Sequence, residues 1–110
     1  MTTVTFFYEN GSVTKVRAAG HSGFAERGQD IVCVAVSALV QTAYLAVKDL
    51  GADATYNTDE NSGLFEFSVN ASGDKRHDAD VILRGLLVGL EDLRGGYPKY
   101  ISTKIVNTEV

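Results

Sequence analysis

The sequence holds a single cysteine, Cys33. No disulfide can therefore form within the chain, and one thiol supplies too few ligands for a structural zinc site. Positive charge is not in excess: ten Lys and Arg stand against fourteen Asp and Glu, giving a net charge of −4 and a pI near 5.0. The ten cations are scattered and not clustered with aromatics, so the footprint expected of a direct nucleic-acid binder is missing. An acidic surface suits a basic partner or a basic peptide instead. Long unbroken apolar runs are also lacking. The longest, residues 31–47, is interrupted by Cys33, Ser37, Gln41, Thr42 and Tyr44, and is expected to be too short and too polar for a membrane span. The opening MTTVTFFYEN lacks the basic-then-apolar layout of a signal peptide and reads as a strand. The compartment that these features suggest is reducing cytoplasm, where a lone thiol stays free.

What is present fits one domain. At 110 residues, with 45% apolar and 22% charged residues, the chain has ordinary globular composition and enough length for a real core. Two β-rich runs, residues 3–8 and 13–19, flank Asn10-Gly11, a pair suited to the positive φ angles of a tight hairpin turn. Val4, Phe6 and Tyr8 alternate with polar or outer positions, so one face is expected to be buried. A helix is predicted from residue 31 to residue 50, capped by Asp30 and stopped by Gly51. It is apolar nearly all round, which predicts a central position. Residues 52–57 and 64–70 predict a second hairpin. A second helix over residues 75–93, with Asp74 as cap and Gly95-Gly96 as its end, carries an apolar stripe of Ala79, Ile82, Leu83, Leu86, Leu87, Leu90 and Leu93. A last strand spans residues 100–107. The expected fold is α+β in two layers, order ββαββαβ, with two helices packed on one face of a mixed sheet.

The passage from Gly20 to Cys33 carries the chemistry. With Asp30 as N-cap, Cys33 falls in the first turn of the helix, where unpaired amides and the positive end of the helix dipole favour a thiolate. The same first-turn amides are candidates to hold an oxyanion. His21, at the end of the second strand, is a natural base if the connecting loop folds the strand end and helix start together. Gly20, Gly23 and Gly28 suit a flexible loop that closes over a peptide backbone. Each residue also has a plainer role: Cys33 as a small buried hydrophobe, His21 as a turn residue, Asp30 as a cap alone, and Ser37 bonded back to a helical carbonyl. His77 lies in a charged run, residues 74–78, and reads as a solvated helix start.

The pattern Gly20-His21-x-Gly23, Gly28-x-Asp30-Ile31-Val32-Cys33 and Val36-Ser37-Ala38-Leu39 resembles the signature of the bacterial ribosomal-processing cysteine proteases. The length and element order are similar too, so the resemblance covers essentially the whole chain. It implies a homodimeric cysteine endopeptidase that removes a short N-terminal extension from a large-subunit ribosomal protein, the twenty-seventh in the standard count. Cys33 would be the nucleophile and His21 its activator, with Asp30 and Ser37 in supporting roles and no cofactor or metal. The family cuts after an aromatic pair ahead of a lysine-rich segment, which suits an acidic enzyme. One departure is Val34, a branched residue where the family pattern has alanine beside the nucleophile. The rival reading is a non-catalytic module that escorts a basic ribosomal protein or assembly factor, with Cys33 inert. Neither nucleic acid nor membrane is expected as a direct partner.

Overall fold

The computed structural model describes residues 1–26 and 29–108. It runs β1 (Thr2–Glu9), β2 (Ser12–Ala19), α1 (Ile31–Asp49), β3 (Asp53–Asp59), β4 (Leu64–Asn70), α2 (Gly73–Gly96) and β5 (Ile101–Asn107). The ββαββαβ order is the expected one. A single five-stranded sheet has the order β3-β4-β2-β1-β5. All its pairings are antiparallel except β1 with β5, which is parallel, so the sheet is mixed.

Local chemistry sets most of the boundaries. Asn10 and Gly11 have φ of 53° and 81°, and Glu9 faces Ser12 across this two-residue turn. One feature of β2 has no counterpart in simple alternation. Val13 and Val16 are both buried although they lie an odd number of positions apart. The register shifts between Phe7 and Tyr8, so Thr14 bulges out and both valines turn inward.

The register then places one face of every strand in the core. Val4 faces Ala18, Phe6 faces Val16, Val16 faces Phe67, and Ala54 faces Val69. All are buried and form one cluster with the inner stripes of both helices. The opposite sheet face is half-buried under its own long side chains. There Lys15 and Arg17 lie over the Phe7 ring, and Arg17 Nε contacts Glu66 at 2.6 Å.

The helices differ from expectation in three respects. α1 buries only Val32, Val36, Val40, Ala43 and Val47, while Ile31, Val34 and Leu45 are exposed on its outer side. A two-layer fold covers a helix from one side only, so an apolar circumference does not make it central. At 19 residues α1 is also long and apolar enough to cross a membrane, contrary to the sequence reading; here its buried stripe packs on the sheet. α2 begins at Gly73 after Ser72 and ends at Gly96, so Asp74 is a first-turn residue and the paired glycines are the last two residues of the helix, which runs past residue 93.

Phe67 is fully buried and packs against the rings of Tyr44 and Phe65. Phe67→Ala is therefore expected to cost about 3–5 kcal/mol in urea unfolding. Val81→Ala, on the exposed side of α2, should change stability by less than about 0.5 kcal/mol. Similar losses for the two variants would contradict this core.

Candidate active site

Asp30 organises the start of α1. Its backbone is extended, and its Oδ1 accepts from the N–H groups of Val32 and Cys33, both at 3.0 Å. Its Oδ2 accepts the hydroxyl of Ser22, and the Ala25 N–H bonds to the same carboxylate. Asp30 is 5% exposed. Burial alone would raise its pKa, but the Ser22 hydroxyl, the Cys33 and Ala25 amides and the Cys33 side chain outweigh it and hold the carboxyl at about 2.

Cys33 is half-buried in the first turn of α1, as its spacing from Asp30 requires. The backbone N–H of Ser22 donates to its Sγ at 3.3 Å. The first-turn amides proposed to hold an oxyanion are already engaged. Val32 and Cys33 donate to the Asp30 side chain, and Val34 donates to the Asp30 carbonyl at 3.1 Å.

His21 leaves the end of β2 exposed, and a turn distant in sequence fixes its place. Gly20 N–H donates to the Ser62 carbonyl at 3.0 Å. Gly63, with φ of 63°, lies so close that a Cβ there would meet the Gly20 carbonyl oxygen at 2.6 Å and His21 Cε1 at 3.1 Å. Only glycine permits both that φ and that approach. The β3–β4 turn thus forms a wall against the imidazole.

His21 and Cys33 line the same cavity, of about 360 Å³. No hydrogen bond among the described residues joins the imidazole to Sγ; the sulfur is bonded to Ser22 instead. Asp30 and the exposed Ser37 line the cavity too, as do Gly20 and Gly23, with φ of 91° and 79°. Gly28 lies outside the described residues. Val36, Val40, Leu64 and Phe65 supply apolar lining, and Asp59 and Glu60 bring carboxylates from the β3–β4 turn. His77 is exposed and lines a different cavity with Asp80 and Arg84. No group of His, Cys, Asp and Glu among the described residues could hold a metal ion.

Sequence reasoning passed over Ser22 and Gly63. Ser22 is 2% exposed, and a small polar residue between His21 and Gly23 was the only local sign of it.

A half-buried thiol at a capped helix start, sharing a cavity with a histidine, is an arrangement suited to nucleophilic catalysis. The family model for the cysteine protease Prp matches residues 1–102. The chain belongs to this family. A ribosomal processing cysteine protease Prp of Bacillus subtilis is 37% identical over 81 residues, covering 71% of this chain and 72% of the relative. The Staphylococcus aureus protein of the same name is 34% identical over 95 residues, covering 84% and 87%. The crystal structure of an essential Prp from S. aureus with a covalently linked product peptide superposes with a TM-score of 0.85 at 30% identity, covering 96% of this chain and 99% of that one. A second S. aureus Prp structure, in complex with a substrate peptide, gives a TM-score of 0.78 with the same identity and coverage. The chain is a cysteine protease of the Prp type, a family of ribosomal protein processing.

The depressed Asp30 pKa has a sign. The unfolded chain binds this proton more readily than the fold does, so the stabilisation is complete above pH 3.8 and is lost as pH falls toward about 2. Between about pH 5 and about pH 2.5, the urea midpoint of the wild type should fall further than that of Asp30→Asn, which cannot titrate. Parallel falls would exclude this carboxyl as the source.

Proposed function

We propose that this protease removes the N-terminal extension of the twenty-seventh protein of the large ribosomal subunit, with Cys33 as nucleophile and His21 as proton carrier. The observation that carries the reading is the shared cavity of His21 and Cys33 at the start of α1. The Cys33 sulfur attacks the scissile carbonyl carbon and forms a C–S bond. His21 delivers a proton to the amine as the C–N bond breaks, leaving a thioester. Water then attacks the thioester, releasing the new carboxyl end and returning the thiol. The S. aureus structure with a covalently linked product peptide supports such an acyl-enzyme.

The cavity chemistry supports the substrate assignment. The half-buried Leu64 and Phe65 offer surface for aromatic side chains before the cut, and Asp59 and Glu60 suit lysines after it. Asp30 and Ser37 act in support, the first through the helix start and the second from the next turn of α1. Gly20 and Gly23 shape the loop that covers the sulfur and would move as peptide enters. The resemblance further implies work as a homodimer, in the bacterial cytoplasm where ribosomes assemble.

The test is cleavage of the extended ribosomal precursor, followed by mass spectrometry. Wild type should cut it after the aromatic pair. Cys33→Ala and His21→Ala should each lower the rate by roughly 10³-fold or more. Intact precursor with folded wild type would overturn this substrate assignment, and undiminished cleavage by Cys33→Ala would remove that residue as nucleophile.

A further inference from the structure

At the sulfur of Cys33, the helix start is not the donor it would be in isolation. Its Val32 and Cys33 amides are spent on Asp30, as described above, and a buried carboxylate lies beside the nucleophile. A thiolate there faces a second negative charge unless that charge is drawn away and a donor is supplied from outside the helix. Ser22 does both. Its backbone N–H is the donor that reaches Sγ, at 3.3 Å. Its hydroxyl donates to Asp30 Oδ2, while its Oγ accepts the Phe24 N–H at 3.2 Å, so the side chain is held from both sides.

We infer that Ser22 is a positioning residue for the nucleophile: its hydroxyl, anchored on Asp30, holds its own amide against the Cys33 sulfur and stabilises the attacking thiolate. This rests on the reading of Cys33 as nucleophile and assigns the residue that prepares it. The amide supplies a charge-assisted hydrogen bond when the sulfur is anionic. The hydroxyl occupies the oxygen of Asp30 that the helix amides leave open, so less of the carboxylate charge bears on the sulfur. The remaining titratable groups on the cavity wall, His21 next to Ser22 and Asp59 and Glu60 from the β3–β4 region, form none of these bonds.

The sign of one measurement separates this role from a merely structural one. A serine that only ties down the loop would, on removal, expose Cys33 and speed its reaction with a small neutral reagent. A serine that stabilises the thiolate would, on removal, slow it. Alkylation of Cys33 by iodoacetamide near neutral pH, followed by mass spectrometry, is expected to be roughly fivefold slower in Ser22→Ala, because lost hydrogen-bond strength is partly offset by greater nucleophilicity. Ser22→Thr, which keeps the hydroxyl, should recover most of the rate. In peptide cleavage, kcat should fall with KM nearly unchanged. In the unmutated protein, the Ser22 amide proton should move downfield in NMR spectra as the thiol ionises. Alkylation that is equal or faster in folded Ser22→Ala would overturn the assignment, as would a Ser22 amide that ignores ionisation. A wild type that leaves the precursor intact, while Ser22→Ala is still alkylated more slowly, would overturn the substrate assignment and leave this inference standing.

Discussion

The buried carboxylate of Asp30 is the constraint on which the site depends. A negative charge removed from water is costly unless it is surrounded by donors. Here two come from the helix it caps and two from the loop before it: the Val32 and Cys33 amides, the Ser22 hydroxyl and the Ala25 amide. Satisfying one carboxylate therefore fixes the relation of a loop to a helix. That relation decides what the Cys33 sulfur meets.

The same economy governs the histidine. His21 lies two residues beyond β2, whose residues are committed to the sheet, and Gly20 between them is bonded to Ser62. The β3–β4 turn closes on it from the far side through Gly63, where any side chain would collide with Gly20. The imidazole and the thiol are thus delivered to one cavity by two rigid elements and one close approach between glycines. In this state the sulfur is bonded to an amide and not to the imidazole, so the proposed mechanism has the two close further as substrate enters. Catalytic hydrogen bonds that are loose without substrate and tighten with it are common in such sites.

The two-layer architecture explains an apparent excess of apolar residues in α1. The sheet covers one stripe of the helix, and among the described residues nothing covers Ile31, Val34 and Leu45. Hydropathy alone made this helix look central, because composition records how apolar a segment is and not from how many sides it is packed. The outer side chains keep the helix strongly apolar without adding to the core. Val34, next to Cys33, is one of them and also lines the cavity, so its branched side chain borders the space that Cys33 and His21 share.

What the sequence determined by itself is whatever depends on neighbours a few residues apart. Asn10-Gly11 dictates a tight turn because both accept positive φ; Asp30 caps α1 because its carboxylate reaches amides two and three positions on; Leu64–Asn70 forms a strand as its alternation demands. The cysteine at the first turn, and the motif that marks the family, were legible for the same reason. Tertiary structure decided the rest. The bulge at Thr14, the contact of Gly63 with His21 and the two bonds of Ser22 join positions brought together only when the sheet and the capped helix assemble. Hydrogen bonding and steric exclusion act over a few ångströms of space, whatever the distance along the chain, and local pattern cannot foretell which distant residues will fill that space.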